Sequence, residues 1–143
     1  MKQVFIMMAF VMSTIFLNAQ SQMGITSFNK SAQSSVIYNL PFSEEAVWNG
    51  IENKMNAYGK AKKVKGFQMY NNVRMPEIST EPLTLYFSAD KKSNKDKGNA
   101  TLTMMLANEF DRFYTLEENG EIFAKAKIFL NGFEAPVAAA SLE

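Results

Sequence analysis

The segment FSEEAVWNGIENKMNAYG, residues 42–59, contains a helix start, an amphipathic middle and a helix stop. Ser43 is placed to cap the first free backbone amides, and Glu44 and Glu45 put negative charge at the positive end of the helix dipole. Gly59 suits the left-handed backbone conformation that commonly ends a helix. The sequence therefore predicts one helix here, and its apolar stripe needs a partner surface.

This stripe has the spacing of a helix, with one glycine inside it. The apolar residues are Val47, Trp48, Ile51, Met55 and Tyr58. Gly50 costs about 1 kcal/mol relative to alanine in a helix interior. Two interpretations of Gly50 remain open: another backbone approaches the helix at this point, or the helix is weak.

Residues 1–19 have the pattern of a secretory signal peptide. Lys2 supplies the charged start, residues 4–17 form the apolar run, and Leu-Asn-Ala precedes the expected cleavage after Ala19. A membrane anchor is the alternative, but the run is shorter than the ~20 residues of a spanning helix. We expect an exported protein of the periplasm or cell envelope of a Gram-negative bacterium, with no stable membrane span after signal cleavage.

Composition limits what the mature chain can be. Cleavage would leave 124 of the 143 residues, enough for one domain with its own core. It would also remove Lys2, leaving 14 basic residues against 14 acidic ones. Such a neutral chain is not expected to bind nucleic acid. The absence of cysteine excludes a disulfide scaffold, so packing must supply the stability.

The mature chain divides into three parts by composition. Residues 20–34 are rich in Ser, Gln and Asn and predict a flexible N-terminus. Residues 35–133 predict a single α+β domain that begins with a short strand at 35–40. Residues 134–143 predict a C-terminal tail, because the chain ends before another helix could bury much.

Alternating segments follow the first helix. Residues 64–75 place apolar side chains at odd positions, which predicts a strand with one buried face. These side chains are Phe67, Met69, Val73 and Met75. Alternatively, Asn71-Asn72 marks a bulge or turn that divides the segment.

Two more alternating segments, 83–88 and 100–106, flank the polar residues 90–99. They predict an antiparallel pair joined by a hairpin loop. A last helix is expected to start at Thr115 or Asn119 and to end near Gly132.

The predicted order is strand, helix, three or four strands, helix. We expect an antiparallel sheet with both helices packed on one face, an α+β fold.

Three stretches carry a resemblance to known proteins: LPFSEEAVWNGIENKMNAYGK, GFQMYNNVRMPEIS and the hairpin around DKKSNKDKGN. Together with the leader they resemble a family of uncharacterised exported bacterial α+β domains, over residues 36–133. In that family the domain is often followed by a long Lys- and Glu-rich helical segment, whereas this sequence ends at Glu143. The element order is also similar to small helix-grip lipid carriers and to outer-membrane-assembly lipoprotein domains. These likenesses supply no catalytic residues.

Catalytic chemistry is limited by the absence of histidine and cysteine. Hydrolases that depend on imidazole or thiolate are excluded. Glu117, Glu118 and Glu121 could act as an acid and base pair or hold a cation, but acidic residues are also favoured near the start of a helix. We predict no enzyme, with no catalytic residues, no cofactor and no metal site.

Lysines concentrate in residues 60–65 and 91–97. They suit either an anionic ligand or a solubilising surface, and the second interpretation is favoured because Asp90 and Asp96 dilute the second group. Lysines next to strands also discourage edge-to-edge aggregation.

Aromatic and methionine side chains give the more specific hypothesis. Around a curved sheet they could line an apolar cavity, although periodic apolar residues more often form a solid core. The candidate apolar ligand-binding residues are Trp48, Met55, Phe67, Met69, Phe87, Met104, Phe123 and Phe129. The sequence thus predicts a non-catalytic envelope module that binds another envelope protein, or alternatively a carrier of a lipid or other small apolar ligand.

Overall fold

The computed structural model describes residues 20–142, without the side chain of Asp96, so the predicted signal peptide lies outside the described residues. The strands are β1 (Gln22–Phe28), β2 (Ser31–Leu40), β3 (Lys62–Val64), β4 (Phe67–Val73), β5 (Leu83–Ser93) and β6 (Asp96–Asn108). The helices are α1 (Glu44–Met55), α2 (Gly120–Asn131) and α3 (Glu134–Ala140). The fold is α+β, as predicted.

All six strands form one antiparallel sheet in the order β1-β2-β6-β5-β4-β3. Two strands precede α1 and two helices follow the sheet, so the observed order has one strand and one helix beyond the predicted order. No helix within residues 20–142 is long and apolar enough to span a membrane.

Helix α1 begins as its sequence predicts. The Ser43 hydroxyl accepts a hydrogen bond from the Ala46 amide at 3.2 Å, and Glu44 and Glu45 occupy the first turn. The helix tightens into a 3-10 turn after Met55, and Gly59 follows with φ 126°, a conformation open to glycine. The start of α1 is therefore as predicted, whereas Gly59 follows the 3-10 turn with ψ −167° and does not adopt the predicted left-handed conformation.

Gly50 is the place where another backbone approaches α1. A Cβ atom built at Gly50 would lie 2.9 Å from the Cα atom of Val137 in α3. Val137 and Ala140 are buried, so the segment predicted to be a C-terminal tail is a packed helix over residues 134–140. That prediction was wrong because the missing side chain of Gly50 lets a short helix bury its small residues.

The N-terminal segment is also ordered. Residues 22–28 form β1 and pair in regular register with β2, so the prediction of a flexible N-terminus over 20–34 was wrong there. The Ser21 amide donates to the Asn131 side-chain oxygen, and its hydroxyl donates to the Lys127 carbonyl, both at 2.8 Å. Strand pairing uses backbone groups, which explains how a polar sequence joins the sheet.

The segment 64–75 is two strands with a bulge, not one strand. Lys65 and Gly66 have φ values of 50° and 86°, which suit a two-residue hairpin turn between β3 and β4. The β4–β5 register then shifts between Tyr70 and Val73, where Asn72 has φ 53°. The bulge alternative is thereby confirmed, and Phe67 and Met69 do not share a buried face with Val73.

Strands β5 and β6 continue through most of the residues predicted to be a loop. Pairing extends to Ser93 and Asp96, so the turn is only Asn94 and Lys95. The long polar loop was therefore a wrong prediction, because charged side chains are tolerated on a hairpin that projects into solvent. The alternating apolar residues of both strands lie in the core as predicted.

The apolar residues form two clusters. The larger one joins residues of β2, β4, β5 and β6 with residues of all three helices. The smaller one contains Phe67, Tyr86, Met105 and Ala107, which alternate along the strands with residues of the larger cluster and so lie on the other face of the sheet. Phe28 and Phe113 pack against it.

Contacts of Phe28 show how strongly the sheet is twisted. Four strand spacings separate β1 from β4, about 19 Å in a flat sheet. The rings of Phe28 and Phe67 are nevertheless 5.5 Å apart. Twist brings diagonally opposite corners of a sheet towards each other, so this contact closes the small cluster at one corner.

Candidate binding cleft

The eight candidate ligand-binding residues do not line one cavity. Four of them are fully buried in the larger cluster: Met55, Phe87, Met104 and Phe123. Trp48 and Phe129 are half-buried at its margin, and Phe67 and Met69 belong to the smaller cluster. Two of the eight, Trp48 and Phe67, meet at an open cleft.

This Trp48 cleft has a volume of about 440 Å³ and lies between α1 and the β3–β4 hairpin. It is lined by Trp48, Glu52, Lys63, Gly66, Phe67 and Gln68. Trp48 and Glu52 are four residues apart and therefore share one side of α1. Lys63 and Gln68 are directly opposite each other on the paired strands, so both project towards that side of the helix.

Polar groups at the base of the cleft form a short chain of hydrogen bonds. The Gln68 amide donates to a Glu52 carboxylate oxygen at 3.3 Å, and its carbonyl accepts from the Tyr70 hydroxyl at 3.5 Å. Burial, and then the charge of Glu52, raises the pKa of Tyr70, so its hydroxyl stays protonated. The base of the cleft is thus fixed, while Lys63 remains exposed.

Two further clefts adjoin this one. One of about 270 Å³ continues along α1 to Gly59 and shares Glu52, Lys63 and Gln68. Another, of about 520 Å³, lies on the other side of Trp48 and is lined by residues of the α1 start together with Lys91 and Lys97. Trp48 therefore separates two recesses, each bordered by lysine.

The arrangement suits binding. The Trp48 indole provides apolar contact, and a carboxylate, an ammonium group and an amide can orient a ligand. Phe67 borders the cleft, but its ring packs into the smaller cluster. Within residues 20–142, no group of three or more acidic residues is placed to hold a metal ion.

The predicted acidic group is distributed around the start of α2. The Glu118 amide donates to the Thr115 hydroxyl at 3.2 Å, whereas Asn119 is the residue that precedes the helix. Glu121 pairs with Lys125 at 3.3 Å, with both side chains largely exposed. The second of the two predicted helix starts, Asn119, is confirmed.

Glu52, Lys63, Gly66 and Gln68 were missed as candidate site residues. Lys63 and Gly66 were missed because the hairpin turn at Lys65-Gly66 was not recognised. Gln68 was assigned to a solvent face because the odd positions were taken as one buried face, whereas the bulge puts Tyr70 and Val73 in the same cluster. The sequence Lys-Gly, followed by renewed alternation, is the signal that could have revealed this turn.

Outside the cleft, Tyr86 is a buried phenol whose hydroxyl donates to Asp111. Burial, then the hydrogen bond and charge of Asp111, raise its pKa. In the unfolded chain a tyrosine titrates near pH 10, whereas folded Tyr86 keeps its proton at higher pH. The free energy of unfolding is therefore fully retained below about pH 10 and falls as the pH rises above it.

We therefore expect Tyr86→Phe to lose stability less steeply than the wild type above about pH 10, where only the wild type must keep this phenol protonated. Thermal melting from neutral to alkaline pH measures the slope. Tyr58→Phe, at a partly exposed tyrosine, is the control and should change the slope less. Parallel curves for Tyr86→Phe and the wild type would contradict the assignment.

No protein-family model, curated protein or solved structure matches this chain.

Proposed function

We propose that the chain is an exported, non-catalytic binding module of the bacterial envelope, and that the Trp48 cleft is its binding surface. The observation that carries the proposal is that Trp48 lines an open cleft together with the polar side chains of Glu52, Lys63 and Gln68. Tryptophan at the centre of a desolvated contact often dominates binding energy. We take another envelope protein as the partner.

The helices support this arrangement. We infer that all three cover one face of the sheet, since their buried residues join a single cluster with alternate strand residues. Helix α3 then supports one side of α1 at Gly50, which leaves the Trp48 side available to a partner.

A carrier of a small apolar ligand is the second candidate. Trp48 and Phe67 line the same cleft, and its volume of about 440 Å³ lies within the range of small-molecule sites. The ligand would contact the Trp48 indole and place a polar end near Lys63. The fully buried methionines and phenylalanines would serve as core under this hypothesis.

Site-specific cross-linking in the native host tests the first candidate. A photo-reactive residue at position 63 should capture one envelope protein in fixed stoichiometry, whereas the same residue at position 127 should not. Trp48→Ala should weaken the purified complex at least about tenfold, because truncating a hot-spot tryptophan costs about 2 kcal/mol or more and tenfold corresponds to about 1.4 kcal/mol. Phe110→Ala is the matched control, since Phe110 is 76% exposed and lies outside the cleft.

Native mass spectrometry of the protein purified from its host separates the two candidates. A stoichiometric apolar mass that Trp48→Ala removes would favour the carrier. A bare monomer that neither captures a partner at position 63 nor carries a ligand would contradict both.

A further inference from the structure

Lysine residues that are separated in the sequence meet at one end of the sheet. Gln68 pairs with Phe87, and β5 continues from there to Ser93, so the β3–β4 turn and the β5–β6 turn point the same way. We define the lysine end by Lys60, Lys62, Lys63, Lys65, Lys91, Lys92, Lys95 and Lys97, all of them exposed. These eight are more than half of the 14 basic residues outside the leader.

Few contacts compensate this charge. Among residues 20–142 other than Asp96, the one ion pair found is Glu121 with Lys125, and Lys65 donates to the uncharged Asn29 side chain. The nearest carboxylates are Glu44 and Glu45, beside Lys91 and Lys97, and Glu52, beside Lys63. Asp90 and Asp96 lie within the hairpin sequence. Eight lysines against these five acidic residues leave a positive excess.

The opposite end of the sheet is acidic. Leu83 pairs with Asn108, which brings the connection before β5 next to the segment after β6. The exposed acidic residues there are Glu77, Glu81, Glu109, Asp111, Glu117 and Glu118. Burial, then the charges of Glu81 and Glu109, raise the pKa of Tyr114, as expected if both carboxylates lie near it. These six carboxylates outnumber Arg74 and Arg112, so charge is polarised along β5 and β6, with lysines at their shared turn and carboxylates at their other end. The twist of the sheet moves Lys65 off this axis, because Lys65 donates to Asn29 in the β1–β2 turn.

Trp48 lies at the lysine end. It borders one cleft with Lys63 and another with Lys91 and Lys97, and it is only partly buried. Tryptophan favours the boundary between water and a lipid headgroup layer, because its ring is apolar and its N–H is polar. The lysine end thus combines projecting ammonium groups with an interfacial anchor.

We propose that the lysine end docks on an anionic phospholipid membrane surface. The surface attracts the ammonium groups and repels the carboxylates at the far end of β5 and β6, so the chain binds with the β5–β6 turn towards the membrane. Lysines are compact, flexible charges without bidentate geometry, and they suit a diffuse anionic surface better than an ordered phosphate site. This role goes beyond the binding of an envelope partner in the cleft.

Co-sedimentation of residues 20–143 with vesicles tests the proposal. Vesicles of phosphatidylcholine mixed with phosphatidylglycerol should bind the protein at about 0.05 M salt, and about 0.5 M salt should release it. Vesicles of phosphatidylcholine alone should not bind it. A lysine near an anionic surface strengthens binding about fivefold, so Lys92→Glu/Lys95→Glu should lower the partition coefficient about twentyfold or more.

The matched control is Arg74→Glu/Arg112→Glu, which makes the same change in net charge at exposed positions of the acidic end. This control should lower the partition coefficient less than about threefold if binding depends on where the charge lies and not on the net charge of the chain. Lys60→Glu/Lys62→Glu is a second test pair at the other hairpin and should behave like Lys92→Glu/Lys95→Glu. Circular dichroism and thermal melting confirm that each variant is folded.

Three results would overturn the proposal. The first is an equal loss of vesicle binding in the test and control pairs. The second is equal binding of the wild type to vesicles with and without phosphatidylglycerol. The third is a wild type that does not bind vesicles but binds heparin or forms salt-sensitive oligomers. None of these results depends on cross-linking at position 63, so failure here is distinguishable from failure of the envelope-partner proposal.

Discussion

Phe87→Ala is expected to lower the free energy of unfolding by about 3–5 kcal/mol, the usual loss when a buried phenylalanine is truncated. Phe87 is fully buried on the central strand β5. Its ring lies 5.9 Å from that of Tyr70 and 5.6 Å from that of Phe133. Removing it leaves a cavity between the sheet and the helices that the neighbours can fill only partly.

Chemical denaturation at neutral pH measures this effect. Phe110→Ala is the control, because its side chain is 76% exposed, and it should change stability by less than about 0.5 kcal/mol. A loss below about 1 kcal/mol for Phe87→Ala would mean that Phe87 borders a cavity instead of filling a solid core. This measurement therefore also tests whether the larger cluster could hold an apolar ligand.

The second large effect is expected from Gly50→Leu. Helix propensity alone would make leucine better than glycine by nearly 1 kcal/mol. A Cβ atom at this position, however, would lie 2.5 Å from a Val137 methyl carbon and 3.0 Å from the Val137 backbone nitrogen. The clash must push α3 away from α1, so we expect a net loss of about 2–3 kcal/mol.

Urea denaturation of three variants separates propensity from packing. Gly50→Ala should lose less than Gly50→Leu, and Val137→Ala should partly rescue Gly50→Leu, since it removes the methyl contact but not the backbone contact. Asn53→Leu, at an exposed position of the same helix, should not destabilise. A stabilised Gly50→Leu variant would show that α3 does not pack on α1 in solution.

Helix α1 and the alternating parts of β5 and β6 could be predicted because their signals are local. Ser43 caps through an amide three residues away, and Leu83, Leu85 and Phe87 are all buried as their alternation requires. The bulge remained an open alternative, because Asn71-Asn72 is compatible with either backbone path until β5 sets the register.

Strand β1 and helix α3 could not be predicted from their composition. Residues 22–28 gain their order from backbone pairing with β2 and from the contacts of Ser21 with α2. Helix α3 depends on the space at Gly50, 87 positions before Val137. Neither cause can be seen within a local sequence window.

The candidate site divides in the same way. Sequence alone identified Trp48 and Phe67 as apolar residues of interest, together with the two groups of lysines. Tertiary structure placed Trp48 and Phe67 at one cleft, assigned Met55, Phe87, Met104 and Phe123 to the core, and brought both lysine groups to one end of the sheet.

By itself, the sequence determined the α+β class, the start of α1, the alternation of the central strands and the exclusion of imidazole and thiolate chemistry. These properties follow from composition and from interactions that span a few residues. Tertiary structure alone decided the order of residues 22–28 and 134–140, the Trp48 cleft and the separation of charge. Each of these depends on antiparallel pairing and helix contacts between residues distant in the chain, and such contacts leave no periodic pattern in the sequence.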